Sequence, residues 1–316
     1  GLLAHELTHV RDNAIRGESQ RLQRYESPEH QDLGDASIAE LADYLKTPEG
    51  AAWAHRSKLN PLALAELPND PFLKGRKIKA GSLLLTPGEI IALVGDFYRT
   101  PQTLASAKPA EVKELLSAID RERAGELTGG RANAAYEDIT VKYRGKAGSY
   151  IELAKDNAPH FTPTNRATWK RLHLEAIEKA QQQASQGSSD LDEAMLVVSG
   201  AGHFLTDAFA SGHLFNKTEL EVAIIGYLRQ NPPHGGEMQA YYVLLQSQDV
   251  MHQVVLKSIH DRLNAEGCEV TNKKGMRWRT FGDDHLKNAE QTRRIAGLAI
   301  YLSRRQVIQA GTKGAS

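Results

Sequence analysis

Apolar residues recur three and four apart along most of this chain, and strict alternation is confined to one short stretch. Ile38, Leu41, Ala42 and Leu45 give one helical stripe; Val112, Leu115, Leu116 and Ile119 give a second, on a helix expected from Pro109 to Arg123. Trp169, Leu172, Ile177 and Ala180 mark a longer helix over about 165–183. Further helices are expected over 150–154, from Leu191 onward, over 218–228, from Met238 to about Asn264, and from His285 to about Gln309. Thr86-Pro87-Gly88-Glu89 carries the signals of a helix start, with a threonine cap, proline in the first turn and glutamate three residues on.

Punctuation falls between these stripes. Ser27-Pro28 reads as a break, and 47–81, with Pro48, Pro61, Pro68 and Pro71, reads as an irregular excursion holding one or two short helices. The Gly-rich, charged stretch 125–148 reads as a connection and the best place for a mobile loop. Glu269 to Trp278 alternates around Lys274-Gly275, which predicts a small hairpin. The pattern therefore predicts an all-α fold, a multi-helix bundle with a small β-hairpin near 269–279. Residues 1–25 are expected to be a leader, and 26–312 a helical domain.

Composition narrows the chemistry. The 316 residues carry 39 basic and 39 acidic side chains, which removes the electrostatic case for a nucleic-acid-coating protein. Cys268 is the single cysteine, so neither a disulfide framework nor a cysteine zinc site is expected. No signal peptide is visible, and no apolar run reaches the roughly 18 residues of a membrane span. Localisation stays open, since export or injection by a dedicated machine leaves no such mark. Histidine is plentiful, at 12 residues.

Two stretches concentrate that histidine. Within Gly202-His203-Phe204-Leu205-Thr206-Asp207-Ala208-Phe209-Ala210-Ser211-Gly212-His213, His203 and Asp207 are four apart and share one face of an apolar helix, with His213 further along. Burying that pair is costly unless something satisfies it, and zinc accepts mixed nitrogen and oxygen ligands. The competing reading is two surface histidines and a solvated aspartate. The second stretch, Leu2-Leu3-Ala4-His5-Glu6-Leu7-Thr8-His9-Val10, contains His-Glu-x-x-His, in which His5 and His9 can hold zinc while Glu6 activates water. It resembles the metallopeptidase-like domain that heads cargo proteins of extracellular contractile injection systems. That likeness covers only about ten residues and implies a remnant of such a domain and a contractile injection particle as partner.

Elsewhere, Glu89 has a capping role, whereas Asp96 ends an apolar helix with no structural explanation. His30 reads as a loop histidine or a ligand, His160 follows Pro159 at a turn, and His173 reads as packed. His252 and His260 fall on one helical face, and His234 sits in an exposed loop. Phe97, Phe161, Phe204 and Phe209 read as core or as the wall of a vestibule.

Taken together, His203-x-x-x-Asp207-x-x-x-x-x-His213 and His160-Phe161 some forty residues upstream resemble the zinc-dependent phospholipase C and P1/S1 nuclease superfamily. Gly88 to Tyr98 and His260-Asp261-x-x-Asn264 resemble a related set of bacterial proteins, and the likeness spans roughly 25–290. The resemblance implies a helical fold of that type, with one to three zinc ions. His160, His203 and Asp207 would hold the first, His213 and His260 with Asp261 the second, and His30 with Asp207 the third; His252 is the alternative to His260. Asp96, or else Asp156, would orient or deprotonate the attacking water. The implied activity is hydrolysis of a phospholipid or other phosphodiester, with a nuclease of the same fold, a peptidase at His5, Glu6 and His9, and a non-enzymatic metal-stabilised cargo protein as alternatives. The superfamily's His-x-x-x-Asp/Glu pair after the central helix has no counterpart following His213.

Overall fold

A computed structural model describes residues 27–128, 130–155, 157–231, 255–282, 285–286 and 289–313. His5, Glu6, His9, Asp156, His234 and His252 lie outside the described residues, as does the leader expected over 1–25. Among the described residues the chain forms fourteen α-helices and two antiparallel two-stranded sheets, in agreement with the all-α expectation.

The fold is built around α11 (Asp192–Asp207), which is buried from Ala194 to Phe204 on every face. A helix apolar all round must be wrapped by others. Here α10 (Thr164–Ser185), α14 (Glu290–Lys313), α5 (Pro87–Leu93) and α1 (Ser27–Gly34) pack against it. Two glycines let this wrapping close. A Cβ on Gly202 would lie 2.9 Å from the Ile91 side chain, and one on Gly200 would lie 2.7 Å from Pro101 Cγ.

The start of α5 behaves as its sequence predicts. Thr86 Oγ1 accepts from Glu89 N at 3.1 Å, and Glu89 Oε2 accepts from Thr86 N at 2.7 Å. Asp35 joins α1 to this helix by accepting from Thr86 Oγ1 at 2.5 Å and Gly88 N at 2.9 Å. Burial pushes the Asp35 carboxyl above its ordinary range, against the pull of those hydrogen bonds.

Several expectations are corrected. Ser27 and Pro28, read as a break, belong to α1, whose described residues begin at Ser27. His30 is consequently on a buried helix and not in a loop. Residues 130–144, expected as a mobile connection, form α8 (Gly130–Arg144), whose Ala132, Tyr136 and Thr140 are buried. The helix α7 (Pro109–Arg123) packs against it. The excursion over 47–81 contains α3 (Pro48–Arg56) and α4 (Pro61–Glu66), and ends in an unexpected strand, β1 (Ile78–Ala80), paired with β2 (Leu83–Leu85). The predicted hairpin is present as β3 (Cys268–Thr271) and β4 (Arg277–Thr280). Between α3 and α1 lies α2 (Ala36–Tyr44), and α12 (Lys217–Gln230) and α13 (Lys257–Glu266) follow the central helix. No described helix is long and apolar enough to cross a membrane.

Candidate metal centre

The central helix stops at Asp207, so His203 and Asp207 end α11, while His213 stands on a separate 3-10 turn, Ser211–His213. The single helix expected through His213 is thus two elements. The break folds His213 back: its Nδ1 lies 3.1 Å from Asp207 Oδ1. A second 3-10 turn, Ala158–His160, is tied to the first by a hydrogen bond from Thr162 N to the His213 carbonyl at 3.0 Å. It presents His160 Nδ1 to Asp207 Oδ2 at 3.0 Å.

Asp207 therefore sits within a ring of imidazoles. Its Oδ2 is 3.0 Å from His160 Nδ1 and 3.6 Å from His203 Nε2. Its Oδ1 is 3.1 Å from His213 Nδ1 and 3.8 Å from His30 Nε2. Each carboxylate oxygen faces two histidine nitrogens. His30, His203 and Asp207 are 0 % exposed, and Asp96 1 %, while His160 at 6 % and His213 at 3 % stand at the edge of the cluster. His30, Asp96 and His203 form an overlapping second group, with Asp96 Oδ1 at 3.9 Å from His203 Nε2.

Surrounding groups set the tautomers. His203 Nδ1 lies 3.0 Å from the Ile91 carbonyl, which can only accept, so Nδ1 carries the proton and the Nε2 lone pair points into the cluster. Thr206 Oγ1 donates its one proton to the His203 carbonyl at 2.7 Å. It must then accept from His30 Nδ1 at 2.7 Å, which turns the His30 Nε2 lone pair inward as well. Burial, reinforced by His203 and His213, holds the His30 pKa well below its ordinary 6.5 and keeps the ring in the neutral, ligating form.

A glycine makes room for this. Gly95 has φ +100°, and a Cβ there would fall 2.3 Å from His203 Cδ2. The turn that follows α5 can therefore lie against the imidazole and deliver Asp96, whose Oδ2 accepts from Ser27 Oγ at 3.4 Å.

His260 is brought to the edge of the cluster, its ring 4.9 Å from that of His213. Gly212 N donates to Asn264 Oδ1 at 2.5 Å, which orients the amide so that Nδ2 faces His260 Nε2 at 3.3 Å. His260 Nδ1 faces Asp261 Oδ1 at 3.0 Å. Both ring nitrogens thus face neighbours on its own helix, and Asp261 pairs outward with Lys257. Burial pushes the Asp261 carboxyl up, but the bonds to His260 and Lys257 outweigh it and hold the group below its ordinary value. The structure accordingly gathers His30, Asp96, His160, His203, Asp207 and His213 in one place, with His260 beside them and Asp261 facing away. Sequence reasoning passed over Thr206, whose signal was a lone hydroxyl next to Asp207 in an apolar helix.

The donor set fits a metal. Two ligands at 2.0–2.1 Å from a tetrahedral ion stand about 3.3 Å apart. The nitrogen–nitrogen and nitrogen–oxygen separations between His160, His203 and Asp207 run from 3.0 to 3.6 Å. Imidazole and carboxylate suit zinc among the first-row ions, and second-sphere bonds such as those of Ile91 and Thr206 are what ligating histidines require. Searched against family models, curated proteins and solved structures, the chain finds no match in any of the three.

Proposed function

We propose that the chain is a zinc-dependent phosphodiester hydrolase with phospholipase C-like chemistry. The observation that carries this reading is the carboxylate of Asp207, each oxygen of which faces its own pair of imidazoles, as a carboxylate shared between two ions would. His160 and His203 would hold one ion with Oδ2; His213 and His30 would hold the other with Oδ1. Bound zinc supplies Lewis acidity to phosphate oxygens and acidifies water at neutral pH. Asp96 accepts the proton of the attacking water through Oδ1, the oxygen nearer His203. Ser27 holds the other carboxylate oxygen. Phe161, packed 4.9 Å from the His213 ring and 6.1 Å from that of His260, gives apolar surface beside these two imidazoles.

The test is hydrolysis by the zinc-loaded chain of phosphatidylcholine vesicles and, separately, single-stranded DNA. Release of phosphocholine is expected, and Asp96→Asn is expected to slow it about 10²–10⁴-fold with zinc retained. Cleavage of DNA in place of lipid moves the reading to a nuclease. Inactivity on both overturns the hydrolase and leaves a metal-stabilised scaffold.

A further inference from the structure

A second concavity shares no residue with the histidine cluster. The turn of the β3–β4 hairpin, helix α3, the end of α2 and the start of α14 enclose a groove of about 480 Å³, within the roughly 300–1,000 Å³ of small-ligand sites. Tyr44, Trp53 and Met276 give it apolar surface, while Arg56, Lys274, Arg277 and Arg294 give it charge. In a chain with 39 basic and 39 acidic side chains, four cations around one depression are a local concentration. Concave walls focus the field of such charges outward and draw anions in.

Their own chain does little to neutralise them. Arg294 pairs with Glu290 at 2.7 Å. Lys274 Nζ donates to the Lys58 carbonyl at 2.8 Å, which positions the ammonium without cancelling its charge. Arg56 and Arg277 are exposed and have no carboxylate within ion-pair distance among the described residues.

Arg294 and Lys274 are also held in place. The Arg294 guanidinium lies 3.7 Å from the centre of the Tyr44 ring, which meets Trp53 edge-on at 6.0 Å. Stacking of this kind fixes the plane of an arginine and so the direction of its donors. Across the groove, Asn272 Oδ1 accepts from Lys274 N at 2.9 Å and Met276 N at 3.0 Å, and Gly275 takes φ +83° to close the turn. Lys274 and Arg277 consequently flank a rigid hairpin tip.

We propose that this groove binds a phosphate-bearing ligand, with Arg56, Lys274 and Arg277 on the phosphate oxygens and the Arg294–Tyr44–Trp53 stack as its wall. Three separate cations, two of them with guanidinium forks, match a tetrahedral oxyanion with several free oxygens better than a single planar carboxylate. The phosphate comes either from a free phosphorylated molecule or from a lipid headgroup. The inference is independent of the metal centre.

Equilibrium dialysis of the full chain against inorganic pyrophosphate, and flotation with phosphatidylcholine vesicles with and without phosphatidic acid, test it at low ionic strength. Saturable binding is expected, weakened at least about tenfold in the Arg56→Gln/Arg277→Gln double variant, since each substitution removes a charge-assisted hydrogen bond to phosphate. The variant should melt as the wild type does, because exposed substitutions of this kind are close to neutral. Lys274→Gln should weaken binding on its own. Pyrophosphate binding without vesicle binding assigns a free ligand; loss of phosphatidic acid binding in the variant assigns a headgroup. Absence of saturable binding to both probes, or binding unchanged in the double variant, overturns the proposal.

Discussion

At the scale of single residues the centre depends on where protons sit. Ile91 and Thr206 hold His203 and His30 with their Nε2 lone pairs turned inward, and Asp207 completes a set of donors that converge on a common interior. Thr206→Val keeps the shape of the side chain and removes the hydroxyl that joins His30 to the His203 carbonyl. Loss of such an outer contact is expected to weaken zinc binding about 10–100-fold, measured by competition with a chromogenic chelator; unchanged affinity would show that Thr206 plays no part in orienting His30. The pairing of His203 with Asp207 was legible in the sequence because four residues span one helical turn. His30 was set beside Asp207 only by the family resemblance, because its contact with Thr206 joins positions 176 apart and its neighbours Ser27-Pro28 read as a break. The resemblance likewise set His260 beside His213; the bond from Gly212 N to Asn264 that ties the two segments together was not legible.

Among the elements, the helices expected from Pro109 to Arg123 and over about 165–183 were read within two residues, whereas most of the helix expected from Met238 lies outside the described residues. Pro109–Arg123 coincides with its expectation, and the capping box at Thr86 is present as drawn. The errors fall where composition outweighed periodicity: α8 is flanked by glycines and rich in charge, yet buries Tyr136 against Phe97 and Tyr150. Contacts between helices carry polar groups as well. Where α10 meets α14, His173 stacks on Trp169 with ring centres 5.3 Å apart. Its Nε2 lies 2.8 Å from Gln306 Oε1 and its Nδ1 2.9 Å from Ser303 Oγ. Burial lowers its pKa from 6.5, partly opposed by the Gln306 bond. Below that value the unfolded chain binds the proton more readily than the folded one, so this contribution is present above pH 6.5 and is lost as pH falls. Thermal melts of chelator-treated protein are expected to show a steeper loss between neutral and mildly acidic pH for the wild type than for His173→Gln. Parallel slopes would remove His173 from the account.

For the whole molecule, the histidine cluster is where the wrapping helices meet. It draws residues from α1, from the turn after α5, from both 3-10 turns and from the end of α11, which the sequence separates widely. Donors recruited in this way would tie metal binding to folding, because the unfolded chain offers no such site. An all-α bundle was legible from periodicity alone; the way its segments converge was not, because that depends on glycine contacts such as Gly95 with His203. The central proposal is that Asp207 would be shared by two metal ions. Diffraction at the zinc absorption edge, with elemental analysis of the same zinc-loaded chain, measures this directly. The account predicts at least two zinc ions per chain, one on each side of the Asp207 carboxylate, and loss of both sites or of their pairing in Asp207→Ala. A chain that takes up no zinc, or one whose zinc content and positions are unchanged in Asp207→Ala, would contradict it.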